Sequence, residues 1–181
     1  MTITTNRKKE IKRNVANSIN QKKMKNKIGI ITLIFTSILL FSCDRNKVYE
    51  EYITIEDNMW KSDNIVKFEF EIEDTSSLHN VYINIRHASL YQFNNLWMFV
   101  TSSAPNGTKN IDTVECVLVD NENRWIGDGL GDICDVQIPW KTNVRFNHQG
   151  IYRVQFEQAM RIEELPGIMD LGLRVEKASS K

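Results

Sequence analysis

The sequence is poor in residues that interrupt or cross-link a chain, since its 181 residues include 3 Pro, 8 Gly and 3 Cys. So few Pro and Gly, without a low-complexity tract, exclude collagen-like, disordered and linker-rich chains. Basic residues are scarce beyond the N-terminus. Of the 23 Lys+Arg and 23 Asp+Glu, nine basic residues and one acidic residue lie in residues 1–42, which leaves 14 and 22 for residues 43–181, a net charge of −8. An acidic body lacks the basic footprint of a nucleic-acid-binding protein, and we expect no nucleic-acid partner.

No apolar run is long enough to cross a membrane. The longest, residues 28–41, would reach about 21 Å as a helix, against about 30 Å of hydrocarbon. It follows the basic sequence MKNK and precedes LLFSC, which ends at Cys43 and resembles a bacterial lipobox. A basic segment, a short apolar segment and a small residue before a break are typical of a secretory signal. We predict that residues 24–42 are a cleaved lipoprotein signal peptide and that Cys43 is lipidated; the alternative is a buried thiol after a core helix.

The signal peptide sets the other boundaries. Residues 1–23 are polar and basic and precede an ordinary start at Met24, which indicates an upstream extension from a start codon placed too early. Residues 43–47 are the lipidated cysteine and a tether of about 14 Å at most, so the domain is expected at a membrane surface. The 4 Trp, 5 Tyr and 8 Phe are enough for one ordered domain, placed at residues 48–177. Residues 178–181 are a tail.

Residues 66–74 and 81–86 alternate apolar and polar side chains with a period of two. That alternation is typical of strands with one face toward a core and one toward water. Further strand-like runs lie at residues 96–102, 111–120, 151–157 and 170–176. Short polar turns and no helical repeat separate them, which predicts an all-β fold, an antiparallel β-sandwich. One short helix is expected at residues 158–165, ended by Pro166 and Gly167.

Five segments, in this order after a lipobox, carry a family resemblance. They are RHASLYQFNNLWMFV (86–100), DTVECVL (112–118), RWIGDGLGDICD (124–135), FNHQGIYRVQFEQAMR (146–161) and LPGIMDLGLRVEK (165–177). Together they resemble the gliding-motility lipoprotein GldH family of the Bacteroidota. The resemblance implies a membrane-anchored component of the gliding machinery, linked to type IX secretion, with other lipoproteins and membrane proteins as partners. It implies no enzymatic activity and no cofactor. It also favours the periplasmic face of the outer membrane, although Asp44 directly after the cysteine would indicate inner-membrane retention in enteric bacteria.

The residues themselves show no catalytic constellation. His79, His87 and His148 lie far apart, without the spacing of zinc ligands, and are interpreted as surface or turn residues. No serine stands in a nucleophile elbow. A calcium site remains an alternative to a solvated turn for one group of acidic residues, although the spacing of an EF-hand is absent. That group is Asp120, Glu122, Asp128, Asp132 and Asp135. We predict no metal site and no enzyme.

Two cysteines remain after the lipidated one. In an oxidising compartment Cys116 and Cys134 are candidates for a disulfide, which would stabilise the fold by roughly 3 kcal/mol in the entropic view. The alternative is a pair of buried thiols on neighbouring strands, because a bridge needs Cα atoms within about 7 Å.

Trp, Tyr and Arg dominate binding hot spots. We therefore predict an interface formed by such residues in the five segments that carry the family resemblance. Its candidates are Arg86, Tyr91, Asn95, Trp97, Trp125, Met160 and Arg161. As alternatives, the two tryptophans are core residues, and the two arginines pair with Asp170 or Glu163. A second function, binding of a carbohydrate or small ligand, would need exposed aromatic residues together on one sheet face. Its candidates are Trp60, Trp97, Trp125 and Trp140.

Overall fold

A computed structural model describes residues 44–178, which form eleven strands. The strands are β1 Lys47–Thr54, β2 Met59–Lys61, β3 Val66–Ile72, β4 His79–Ala88, β5 Asn95–Ser103, β6 Lys109–Val117, β7 Asp128–Leu130, β8 Ile133–Val144, β9 Gly150–Gln158, β10 Glu164–Pro166 and β11 Ile168–Lys177. One 3-10 turn, Glu56–Asn58, joins β1 to β2. No helix within the described residues is both long and apolar enough to span a membrane. The prediction of an all-β fold is confirmed.

The strands form three sheets, and the described pairings of strands are antiparallel. A five-stranded sheet has the order β1-β11-β4-β8-β7, and a four-stranded sheet has the order β3-β9-β5-β6. Strands β2 and β10 form a small separate pair. Strand β1 pairs with β11 along its length, from Lys47 opposite Glu176 to Thr54 opposite Asp170.

The two larger sheets pack face to face through one core. Along β3 the buried residues Val66, Phe68, Phe70 and Ile72 alternate with exposed charged ones, as the period-two pattern predicts. Phe68 contacts Phe156 of β9, with ring centroids 5.0 Å apart. The facing sheet contributes inward residues from β4, β8 and β11, so that one hydrophobic cluster joins both sheets. The arrangement is a β-sandwich.

The sandwich has two distinct ends. At one, the Lys47 end, β1 begins and β11 finishes, and the Lys177 backbone N–H donates to Asn46 O over 2.8 Å. Strand β4 also begins there, because His79 pairs with Lys177. At the other, the Gln158 end, β9 finishes and β5 begins. Features at the two ends are therefore a strand length apart.

The prediction of a helix at residues 158–165 is wrong. Strand β9 runs through Gln158, and residues 159–163 form a bend before β10. The Gln158 side chain accepts from the Met160 backbone N–H at 2.9 Å and donates to Ile162 O at 2.7 Å. A side chain that bonds nearby backbone groups competes with helical hydrogen bonds. Leu165 then pairs with Trp60 and is fully buried, which fixes the segment as a strand.

The prediction that the histidines are surface or turn residues is wrong for two of the three. His79 and His87 occupy inward positions of β4 and are buried. His79 packs against Phe146, and His87 against Trp125, with centroids 5.2 and 4.6 Å apart. Both lie at inward positions in the alternation of β4. An imidazole ring can occupy such a position because it packs against the neighbouring aromatic rings. His148 is exposed.

Candidate functional site

The structure divides the predicted interface residues among three places. Asn95, Trp97, Met160 and Arg161 lie together on the outer face of the four-stranded sheet at the Gln158 end. Arg86 projects from the outer face of the other sheet, and Tyr91 and Trp125 contribute to the core. The candidate functional site is therefore the first group and its neighbours.

Two aromatic side chains project outward from β5. Leu96, Met98 and Val100 are buried, whereas Trp97 is 37% and Phe99 42% exposed. They border a shallow pocket of about 540 Å³. Its lining is Phe93, Trp97, Phe99, Thr113, Ala159, Met160 and Arg161. We call this lining the Trp97 surface. Exposed aromatic residues that share a concave patch mark an interaction site more often than scattered ones do.

The bend after β9 positions one side of the Trp97 surface. The Ala159 backbone N–H donates to Trp97 O at 2.9 Å, and the Trp97 backbone N–H donates to Met160 Sδ at 3.3 Å. The buried Gln158 amide holds the same bend through the two hydrogen bonds described above. Met160 and Arg161 are thus held beside Trp97 by main-chain contacts, which keeps the surface preformed.

The rim of the Trp97 surface carries both signs of charge. Arg161 is exposed and forms no ion pair with any residue in the described part of the chain. Nearby, Asn95 Nδ2 donates to Glu115 Oε1 at 2.6 Å, which holds that carboxylate at the sheet surface. An apolar aromatic and methionine centre with a free guanidinium at its edge matches the composition of protein interfaces.

Phe93, Phe99 and Thr113 belong to the surface but are missing from the predicted residues. A signal for Phe99 exists in the sequence, because a strand at residues 96–102 places it on the same face as Trp97. Thr113 is found only through the register, which sets it opposite Phe99. Phe93 precedes the strand, and no periodicity marks it.

Arg86 has a structural role on the opposite sheet. Its guanidinium forms ion pairs with Asp135 and Asp170, both at 3.1 Å, and stands 5.2 Å from the centroid of the Tyr52 ring. The hydrogen bond to Asp135, followed by the charges of both carboxylates, raises the pKa of Arg86. The alternative of a pair with Asp170 is therefore correct for Arg86.

Tyr91 and Trp125 form an aromatic cluster around His87 inside the core. Tyr91 is buried, its hydroxyl donates to Asn95 O at 3.1 Å, and burial raises its pKa. Trp125 is half-buried against the core, edge-on to His87. Both support the start of β5 from beneath, and neither presents an open binding face.

Cys116 and Cys134 are free, buried thiols. Cys116 lies on β6 of the four-stranded sheet and Cys134 on β8 of the five-stranded sheet, so the two strands are not neighbours within one sheet. Burial raises the pKa of Cys116 to about 12 and also raises that of Cys134.

The four tryptophans do not form a common platform. Trp60 is fully buried, Trp125 and Trp140 pack against the core, and Trp97 alone among them is classed as exposed. Of the acidic residues weighed for calcium, Asp120 accepts from the backbone N–H groups of Glu122 and Arg124. Within residues 44–178, no group of three His, Cys, Asp or Glu is placed to hold a metal ion. Cys43 and residues 1–42 lie outside the described residues.

Comparison with known proteins identifies the family. The model of the GldH lipoprotein family matches residues 47–175. The gliding motility lipoprotein GldH homolog of Christiangramia forsetii is 35% identical over 87% of this chain and 100% of its own length. The gliding motility lipoprotein GldH of Flavobacterium johnsoniae is 34% identical over 80% of this chain and 94% of its own length. A structure of the infectious bursal disease virus VP2 subviral particle is 14% identical and covers 74% of this chain and 33% of its own, with a TM-score of 0.36, too low to support an inference. The chain belongs to the GldH lipoprotein family.

Proposed function

From this membership, we propose that the protein is a component of the gliding machinery, associated with type IX secretion, that acts as an adaptor or assembly factor and not as an enzyme. The names of its relatives support the link to gliding motility. The Trp97 surface is the observation that supports an adaptor role, because it combines aromatic, methionine and arginine side chains on a preformed face. Its partners are other gliding or secretion lipoproteins and membrane proteins.

The proposed anchor is a lipid on Cys43, on the periplasmic face of the outer membrane. Cys43 precedes the first strand residue, Lys47, by four residues, a reach of about 14 Å. The Trp97 surface lies at the other end of the sandwich. Strand β5, with its nine residues, spans roughly 30 Å at about 3.4 Å per residue. An anchor at the Lys47 end therefore directs the Trp97 surface away from the membrane, where it meets proteins rather than lipids.

The interface is tested by quantitative co-purification from solubilised membranes. Trp97→Ser and Arg161→Glu should each reduce partner recovery about tenfold or more, because hot-spot truncations cost about 2 kcal/mol or more. Ile151→Ser is the matched control, since Ile151 is 46% exposed on the same sheet face but at the Lys47 end. Thermal melts separate lost binding from lost folding. Unchanged recovery with both folded variants would contradict the proposed interface.

The anchor and its membrane are tested by labelling with a fatty-acid analogue. Cys43→Ala should abolish the label and leave an unprocessed or unlipidated chain, and sucrose-gradient separation should place the native protein with the outer membrane. Label that persists in Cys43→Ala contradicts the site of lipidation. Recovery in the inner-membrane fraction contradicts the location.

The non-enzymatic role is tested separately. Asp128→Asn, Asp132→Asn and His148→Gln should each leave gliding and secretion intact, because a scaffold does not depend on one acid or base. A stably folded variant of this group that abolished gliding or secretion, with partner recovery unchanged, would favour a catalytic role.

A further inference from the structure

An apolar cleft of about 350 Å³ opens between the two sheets at the Lys47 end. Its walls include Phe70, Val81, Trp140, Val144, Phe146 and Val154. Phe146 packs edge-on to Tyr152, with ring centroids 4.7 Å apart, and forms one side. On the other side lies the exposed Asn110, near the start of β6, and the half-buried Asp112 follows it on the same strand.

The mouth of the cleft has one uncompensated positive charge. Of its three cationic residues, Lys141 forms an ion pair with Asp112 at 2.7 Å, and Arg153 forms one with Glu69 at 2.6 Å. Arg145 lines the cleft, is exposed, and has no ion-pair partner among residues 44–178. On a chain with a net charge of −8 beyond residue 42, this is a local site for an anion.

Apolar walls with a cation at the mouth match an amphiphile with an anionic group. A volume near the lower limit of ligand pockets, about 300 Å³, suits one hydrocarbon chain. A carbohydrate would need hydrogen-bonding groups along the walls, whereas the accessible surface of the walls is mainly apolar, with Ser102, Ser103 and Thr108 among the polar lining residues. We propose that this cleft binds the hydrocarbon chain of an anionic membrane lipid, with its charged group at Arg145.

The position of the cleft fits a lipid drawn from the membrane that holds the protein. Strand β1 begins at the same end of the sandwich, and β1 and β8 are three strand spacings apart, about 14 Å. With the anchor at Cys43, the mouth lies near the bilayer surface. This second site is distinct from the Trp97 surface at the other end and goes beyond the proposed adaptor function.

Photo-crosslinking tests the site on the full-length, lipidated protein in nanodiscs of phosphatidylcholine. The probe is a palmitate that carries a diazirine on its chain, and mass spectrometry locates the modified residues. We expect labelling concentrated on residues 140–146, reduced about tenfold or more by Arg145→Glu, because the reversed charge repels the carboxylate of the probe. Arg45→Glu is the matched control, since Arg45 is also an exposed arginine near the Lys47 end and has no ion pair with another described residue, and should leave the labelling unchanged. The uncharged alcohol of the same chain length should label less than the acid.

A second variant fills the cleft instead of changing its charge. Ala104→Trp places a large ring at the lining and should also remove the labelling, with a thermal melt to establish folding. If it does not fold, the surface variant Arg145→Glu still decides the outcome. Labelling that is equal in Arg145→Glu, or spread over residues that do not line the cleft, overturns the proposal. So does labelling that appears only in Cys43→Ala, because the protein's own acyl chains would then occupy the cleft. The co-purification test of the Trp97 surface is independent of all these outcomes.

Discussion

The ring of Tyr52 on β1 lies over Gly172 on β11. A Cβ atom at position 172 would come within 2.9 Å of Cδ1 of that ring and within 3.0 Å of Asn84 Cβ. The register pairs Gly172 with Tyr52 on one side and with Asn84 on the other. An aromatic ring over a strand glycine covers backbone that would otherwise be exposed. The same ring faces the guanidinium of Arg86, so the absent side chain at 172 makes room for this contact.

Gly172→Ala should lower the free energy of unfolding by about 1–3 kcal/mol, because the added methyl group overpacks the space beneath Tyr52. Chemical denaturation measures the change. Gly129→Ala is the control, since its Cβ would meet no atom closer than 3.7 Å. In a Tyr52→Ala background, Gly172→Ala should lower the free energy of unfolding by a smaller amount. An equal cost in both backgrounds would show that the ring is not the cause.

Stability should fall as the pH decreases below about 6.5, because His87 is buried. Burial lowers the pKa of His87 in the folded chain, so below about 6.5 the unfolded chain binds a proton that the folded chain does not. His79 is shifted in the same direction by its burial. His87→Leu should therefore reduce the decrease in Tm between pH 7.5 and 5.5, whereas His148→Leu, at an exposed position, should not. An unchanged decrease in His87→Leu would refute the prediction.

The native thiols should resist modification. Burial raises the pKa of Cys116 to about 12 and that of Cys134 above its usual value, and the thiolate is the reactive form. In full-length Cys43→Ala, the thiol reagent DTNB at pH 8 should react slowly with the thiols of the folded chain. In guanidinium chloride, which unfolds the chain, it should react with both cysteines. Reducing agent should not change Tm. A decrease in Tm on reduction would indicate a disulfide.

Gln158→Leu should disorder the bend that carries Met160 and Arg161. The change removes two hydrogen bonds and leaves the Met160 N–H and Ile162 C=O without their partner, at a cost of about 1–3 kcal/mol. Hydrogen exchange at residues 159–162 should increase, and partner recovery should fall. Gln155→Leu is the control, since Gln155 lies on the outward face of the same strand. Unchanged exchange in the bend would contradict the role given to Gln158.

Much of the fold follows from local periodicity. The predicted runs at 66–74, 81–86, 96–102 and 151–157 each overlap a strand, because alternation directly encodes which face is buried. The sequence pattern does not identify strand β8, although Cys134, Val136 and Ile138 alternate inward. Pro139 follows them, and proline within a run argues against a central strand.

The candidate site could be predicted only in part, because its members come together through tertiary contacts. Trp97 stands in the apolar run LWMFV and is exposed, whereas Trp125 stands among polar residues in NENRWIGD and is packed on the core. The error at residues 158–165 has the same origin, since the Gln158 amide bonds and the burial of Leu165 against Trp60 depend on the bend and on a distant strand. Residue types suggest which side chains could form a binding surface. The sheet face on which each side chain lies determines whether it belongs to that surface.

The pairing of β1 with β11 also determines how the domain bears a load. With the proposed anchor at Cys43 and the proposed partner at the Trp97 surface, tension would enter β1 along its axis. The hydrogen bonds of an antiparallel pair lie perpendicular to that axis, so the seven residue pairs from Lys47 to Thr54 share the force in shear and resist it together. A pull across the strands would instead open them one at a time. In that arrangement the first strand would be loaded in its mechanically stronger direction.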